Sequence, residues 1–153
     1  MERVVATWMV LTLSLCGTAC RHEEGPGLGE IMTLTQMRHA KIWFAGEARN
    51  WELVNYELDE LEEGFADVVK YHPTHKDAPL PLSQAVPGMM DGPIKDLRLA
   101  AKAHDASAFV TAYDALTSAC NSCHQATNFG FNVVRRPQQA WFGNQDFAAP
   151  AQK

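Results

Sequence analysis

The sequence predicts an all-α protein: a four-helix bundle of up-down-up-down topology with an irregular C-terminal tail. Three observations lead to this prediction. Apolar residues recur at steps of three and four, most clearly at Val54, Leu58, Leu61, Phe65 and Val68, which is the spacing of one packed helix face. No segment alternates apolar and polar residues as a half-buried strand would. The 153 residues suffice for one domain and are too few to expect two.

The N-terminus has the features of an export signal. Arg3 provides a short basic segment, and the apolar stretch from Val4 to Leu15 is too short to span a bilayer as a stable helix. Gly17-Thr18-Ala19 then supplies small residues for cleavage. We therefore divide the chain into a signal peptide (residues 1–19), a flexible charged leader (residues 20–27) and one helical domain (residues 28–153).

Cys20 calls for a separate explanation, because it would be left unpaired in an oxidising compartment after the signal is removed. It directly follows Thr18-Ala19, so it resembles the lipid-accepting first residue of a bacterial lipoprotein. Gly17 departs from that pattern, which usually has leucine there. A lipidated Cys20 would tether the protein to a membrane surface. Simple cleavage near Ala19 would instead release a soluble periplasmic protein.

Two helices are predicted in the first half of the domain. The first runs from about Leu28 to Ala45, which contains no proline, and Gly46–Asn50 forms a short connection. The second carries the apolar stripe described above and stops at Pro73, which cannot continue a helix. Its acidic residues are predicted to form a solvated face, with a docking patch as the alternative: Glu57, Asp59, Glu60, Glu62, Glu63 and Asp67.

Proline and glycine dominate the next segment, so His72–Pro93 is predicted to be a loop with a short turn near Ser83–Ala85. A third helix is predicted from about Ile94 to His104, and Asp105 or Ser107 can cap a fourth. The apolar stripe of that helix comprises Phe109, Ala112, Leu116, Cys120 and Cys123. The remaining 26 residues, 128–153, are predicted to be an irregular tail packed on the bundle through Phe129, Phe131, Trp141 and Phe147.

Cys120-Asn121-Ser122-Cys123-His124 is the pattern that covalent haem attachment requires. Positions i and i+3 share a helix face, so each thiol can form a thioether with one vinyl group. The adjacent His124 can then bind the iron as the proximal ligand. A thioredoxin-like redox pair would need a βαβ context, and a zinc site would need a second ligand pair at ordinary spacing; neither is present in the sequence.

The helix order, with Cys-x-x-Cys-His late in the fourth helix, resembles the class II c-type cytochromes, the cytochrome c′ group. The resemblance covers roughly Leu28 to Thr127. It implies a monohaem four-helix-bundle cytochrome domain with one covalent haem c at one end of the core. Three features depart from the family: a short first connection, the absence of a basic residue in Gln125-Ala126-Thr127, and a long tail. The spin state and gas binding of the family are therefore not carried over.

The sixth position on the iron decides the function. In such a bundle the first helix runs antiparallel to the fourth, so its early turns should lie beside the haem. Met32 is the candidate sixth ligand, and a thioether there would raise the reduction potential. His39, two turns further on, is the alternative ligand. Arg38 and Lys41 are candidates for pairing with a haem propionate.

These features predict a monohaem single-electron carrier of the bacterial envelope, not an enzyme, in a periplasmic location and with a membrane anchor if Cys20 is lipidated. The expected partner is a redox protein of the periplasm, and the resemblance leaves a homodimer open. The net charge of −5 argues against a nucleic-acid partner. The alternative function is gas binding, of nitric oxide or carbon monoxide, at an open or displaceable sixth site. A small haem peroxidase or nitric-oxide detoxifier would need an open site and distal acid-base groups, and His39 is the one candidate for such a group in the sequence.

Overall fold

The computed structural model describes residues 25–149, and its helices are α1 (Leu28–Glu47), α2 (Trp51–Tyr71), α3 (Leu82–Lys102) and α4 (Ala106–Ala126). Each helix packs against its neighbour in the chain, and α1 also contacts α4, which closes the ring. Short connections between successive helices make neighbours antiparallel. The predicted all-α fold, a four-helix up-down-up-down bundle, is therefore confirmed.

The two tight turns of the bundle lie at the same end. Arg49 and His104 adopt left-handed backbone angles, φ 57° and 55°, just after α1 and α3. The side chain of Asn50 then accepts the Leu53 backbone N–H at the start of α2. Asp105 does the same for two backbone N–H groups of α4, as predicted. These caps satisfy backbone donors that a helix start leaves unpaired.

The largest correction concerns α3, which starts at Leu82 and not near Ile94. Pro87 and Pro93 both lie inside the helix, although an internal proline removes a hydrogen bond and costs roughly 3 kcal/mol. The helix persists because its apolar face is buried in the core. The buried residues on that face include Leu82, Ala85, Val86, Met90, Ile94 and Leu97.

Aromatic residues fill the space between α1 and α4 toward the end with the tight turns. The rings of Trp43 and Tyr113 are 4.9 Å apart, and those of Trp43 and Phe109 are 6.2 Å apart. A Cβ at Gly46 would lie 2.1 Å from the Phe109 ring, so only glycine allows this approach. A cavity lies at the opposite end of the same two helices, where α1 begins and α4 ends.

The tail is irregular, as predicted, but only part of it packs on the bundle. Phe129 and Phe147 are half-buried, and the Phe147 ring lies 5.5 Å from that of Phe44. Phe131 and Trp141, predicted to pack, are 83% and 77% exposed. None of the helices between residues 25 and 149 is long and apolar enough to cross a membrane. The predicted signal peptide and Cys20 lie outside the described residues.

Candidate functional site

A cavity of about 260 Å³ lies at the end of the bundle where α1 and α3 begin and α2 and α4 end. Its walls are mostly apolar and come from all four helices, for example Leu28, Phe65, Leu82 and Val86. The antiparallel helix order predicted that the early turns of α1 would lie beside the end of α4, and both line this cavity. Cys120, Cys123 and His124 are also among the lining residues.

The two motif cysteines are neutral thiols that face this apolar space. Both are free and half-buried. Burial, with a smaller contribution from neighbouring Cys123, raises the pKa of Cys120 to about 12, and burial also raises the pKa of Cys123. A redox-active Cys-x-x-Cys pair depends on a lowered thiol pKa. The local environment therefore does not favour the thioredoxin-like alternative.

His124 is held in one tautomer by the tail. Its Nδ1 lies 2.6 Å from the backbone carbonyl of Asn132. Because a carbonyl can only accept, Nδ1 must donate and carry the proton, which leaves Nε2 with a free lone pair. Metal-binding histidines generally have this arrangement, with the second ring nitrogen donating to a carbonyl or carboxylate.

The segment that supplies this carbonyl, residues 129–136, is called the strap here. The side chain of Asn121, inside the motif, binds both backbone groups of Val134. Its Nδ2 donates to the carbonyl and its Oδ1 accepts the N–H, and the donor–acceptor distance is 2.8 Å in each bond. Arg136 then binds the Asp114 carboxylate at 2.6 Å and lies 4.3 Å above the Trp43 ring. The strap is therefore tied to α4 on both sides of Arg135.

Two thioethers line the cavity. Met32, the candidate sixth ligand, is half-buried in the second turn of α1 and lies on its wall. Met90 of α3 is 2% exposed and lines the same cavity. Sequence reasoning missed Met90, because it assigned that segment to a loop. The spacing from Leu82 through Val86 to Ile94 was the signal that could have identified it.

His39 lines the cavity, but both of its ring nitrogens are already bonded. Nε2 lies 2.9 Å from the Thr117 hydroxyl, which itself donates to the Tyr113 carbonyl, so Nε2 must be the donor to Thr117. The Tyr113 hydroxyl lies 3.0 Å from Nδ1 and also 3.0 Å from the His39 backbone carbonyl, so its one proton is shared between these two acceptors. Iron ligation by His39 would require one of these bonds to break, whereas Met32 faces no such requirement.

We expect His39 to make the protein acid-sensitive. Burial lowers its pKa from 6.5 to about 4, so the unfolded chain takes up this proton more readily than the folded one. The contribution of neutral His39 to the free energy of unfolding is complete above pH 6.5. This contribution falls by about 3 kcal/mol as the pH drops to 4. Denaturant unfolding at pH 7 and pH 4 should show that the free energy of unfolding falls less in His39→Gln than in the wild type, because the variant lacks this buried imidazole. The control, His104→Gln at an exposed site, should show the same fall as the wild type, and an undiminished fall in His39→Gln would contradict the assignment.

Arg38 and Lys41, the predicted propionate partners, do not line the cavity. Arg38 binds Glu57 at 3.0 Å and Glu60 at 2.7 Å, and Lys41 lies 3.6 Å from Glu57. Glu57 was predicted to be solvated, yet it is only 1% exposed. The packing of α1 on α2 brings Arg38 and Lys41 next to Glu57. The two cations therefore neutralise a buried carboxylate of α2.

His75, in the connection between α2 and α3, also lines the cavity, and its ring lies 5.3 Å from that of Phe129. The other histidine of this connection, His72, has its Nε2 atom 2.8 Å from the Pro26 carbonyl. No group of three or more His, Cys, Asp and Glu side chains within residues 25–149 is arranged to hold a metal ion.

Comparisons with protein-family models, with curated proteins and with solved structures found no match to this chain.

Proposed function

We propose that this protein is a c-type monohaem cytochrome that carries single electrons and turns over no substrate. One observation supports the proposal most directly. Both thiols of the Cys-x-x-Cys-His motif and its histidine line a single apolar cavity, and the histidine Nε2 is left free by the bond from Nδ1 to Asn132. A redox pair or a zinc site would not need such a cavity.

The residues present fit a covalently attached haem. Cys120 and Cys123 would hold its two vinyl groups as thioethers, and His124 would bind the iron through Nε2. Apolar walls suit the macrocycle and limit the access of water. When bound, the group supplies a one-electron iron couple, whose potential the axial ligands and surrounding burial set. The protein's own contribution is to orient His124 and to exclude solvent.

Met32 is the proposed sixth ligand, which favours electron transfer because a thioether raises the potential of the iron. The alternative is a gas-binding haem protein of cytochrome c′ type, for nitric oxide or carbon monoxide. That alternative is favoured by the apolar walls and by the engaged nitrogens of His39, since the two thioethers on the cavity wall, those of Met32 and Met90, are ligands that a gas can displace.

Two measurements on the protein, matured with the haem-attachment machinery, test these proposals. Acid-acetone extraction should leave the colour with the protein, because thioether bonds survive it. Colour in the organic phase would refute covalent attachment. The optical spectrum should be six-coordinate and low-spin for an electron carrier. A five-coordinate high-spin spectrum would instead support gas binding.

We further propose that the protein is exported to the periplasm, meets a redox partner protein there and is anchored by lipid on Cys20. The support is the sequence pattern at residues 1–20, since lipid chains bind a membrane surface. Intact mass of protein expressed from the full gene should show a diacyl or triacyl addition at Cys20. An unmodified N-terminus near Cys20 would show a soluble secreted form, and Cys20→Ser is the control for the mass assignment.

A further inference from the structure

We infer that Arg135 binds the haem carboxylates in a second cavity beside the motif, the role that the sequence assigned to Arg38 and Lys41. This inference rests on the proposed haem attachment. The second cavity has a volume of about 530 Å³ and lies between α1 and residues 133–142. It shares Gln36, His39 and Val134 with the motif cavity, so the two spaces adjoin.

The chemistry of the haem places both of its carboxylates on one side. The vinyl groups, which bind Cys120 and Cys123, and the two propionates lie at opposite edges of the macrocycle. The carboxylates are therefore directed away from the thioether edge. A carboxylate that enters an apolar cavity without a partner is costly, so it needs a cation, hydrogen-bond donors or water.

The second cavity offers these partners. Three residues with amide side chains, Gln36, Gln138 and Gln139, line it together with Arg135. A guanidinium can bind a carboxylate through two parallel hydrogen bonds. The apolar part of the lining includes Trp141 and Phe142. A cation from the strap and amide donors from α1 and from the residues after the strap thus meet beside the motif cavity.

Among the arginines of residues 25–149, Arg135 is the one that is available to bind the haem carboxylates. Arg38, Arg98 and Arg136 are each bound to carboxylates of the bundle, whereas no carboxylate of the described chain pairs with Arg135. Arg49 follows α1 at the far end of the bundle. No lysine lines either cavity, and Lys41 reaches across the Phe142 ring toward Glu57.

The backbone on each side of Arg135 is already anchored. Asn121 binds both backbone groups of Val134, and Arg136 binds Asp114. A side chain presented from an anchored segment loses less conformational freedom on binding, which favours affinity. Arg135 is itself exposed, so its replacement leaves the core of the bundle intact.

The test compares Arg135→Gln with Arg49→Gln, which removes the same charge at the far end of the bundle. Both variants should retain covalent haem by acid-acetone extraction. Arg135→Gln should lower the midpoint potential, because a cation near the haem favours the reduced, less positive iron. Arg49→Gln should leave the potential unchanged, and Arg135→Lys should restore most of it. Equal potentials for Arg135→Gln and Arg49→Gln would overturn the inference while leaving the proposed function intact. Absence of covalent haem in every protein would refute the proposed function itself.

A second measurement addresses carboxylate recognition directly. The full chain carrying Cys120→Ala and Cys123→Ala is titrated with free haem and with its dimethyl ester, which lacks both charges. We expect about tenfold tighter binding of the free acid when Arg135 is present, and Arg135→Gln should remove that preference. A preference for the free acid that persists in Arg135→Gln would overturn the inference.

Discussion

Replacing both Cys120 and Cys123 with alanine is expected to eliminate all acid-stable haem from the protein. Each of these cysteines lines the motif cavity and, in the proposed function, would provide one of the two thioether bonds that hold the haem. Without them, only the bond from His124 and apolar contacts remain, and acid-acetone breaks both. The measurement is haem stain retained by the denatured polypeptide, together with a mass decrease of one haem per chain.

The single variants refine this test. Cys120→Ala or Cys123→Ala should leave one thioether, so covalent haem persists at reduced yield and the reduced α-band moves to longer wavelength. Ser122→Ala is the matched control within the motif, because Ser122 is exposed and donates only to the Ser118 carbonyl. Acid-stable haem in the double alanine variant would show that the motif is not the attachment site.

Replacing Met32 with alanine is expected to convert a low-spin six-coordinate haem into a five-coordinate one. Met32 lines the motif cavity from the first helix, and its thioether is a soft ligand that suits reduced iron. We expect the weak thioether-to-iron band at the red edge to disappear and carbon monoxide to bind the reduced protein readily. The midpoint potential should fall by on the order of 0.1 V, because axial ligands set haem potentials over a wide range.

Three further variants distinguish the ligands. Met90→Ala tests the second thioether of the cavity, and His39→Ala tests the alternative from the sequence. Met89→Ala is the control, because Met89 is half-buried on the same helix as Met90 but lines neither cavity. An unchanged spectrum in Met32→Ala, with high spin in Met90→Ala or His39→Ala, would reassign the ligand. If the wild-type spectrum is already high-spin and none of these substitutions changes it, gas binding replaces electron transfer as the proposed function.

Most of the fold followed from local pattern. The first, second and fourth helices begin or end where caps, Pro73 and apolar spacing predicted, because these signals act within a few residues. The prediction was wrong for α3, where Pro87 and Pro93 indicated a loop. Local propensity opposed the helix there, and the burial of residues such as Val86 and Ile94 outweighed it. Burial of this kind depends on the neighbouring helices and is not visible in the segment itself.

The candidate site was only partly predictable for the same reason. The spacing within Cys120–His124 is a local property, so the sequence alone determined that both thiols and the imidazole lie on one turn of helix. Ion pairing is not local. Arg38 and Lys41 seemed equally suited to a propionate, and only the packing of α1 on α2 committed them to Glu57. The same holds for His39, whose ring nitrogens are engaged by Tyr113 and Thr117 of α4.

The sequence by itself determined the fold class, the helix turn that carries Cys-x-x-Cys-His and the end of the bundle where that turn lies, because helical periodicity and antiparallel helix order constrain all three. The tertiary structure decided what surrounds the motif. It placed Asn132 against His124, Arg135 at the wall of the second cavity and Met90 at the wall of the first. These contacts join residues far apart in the chain. They follow from how closely helices and strap pack, which is a property of the assembled bundle and of no single segment.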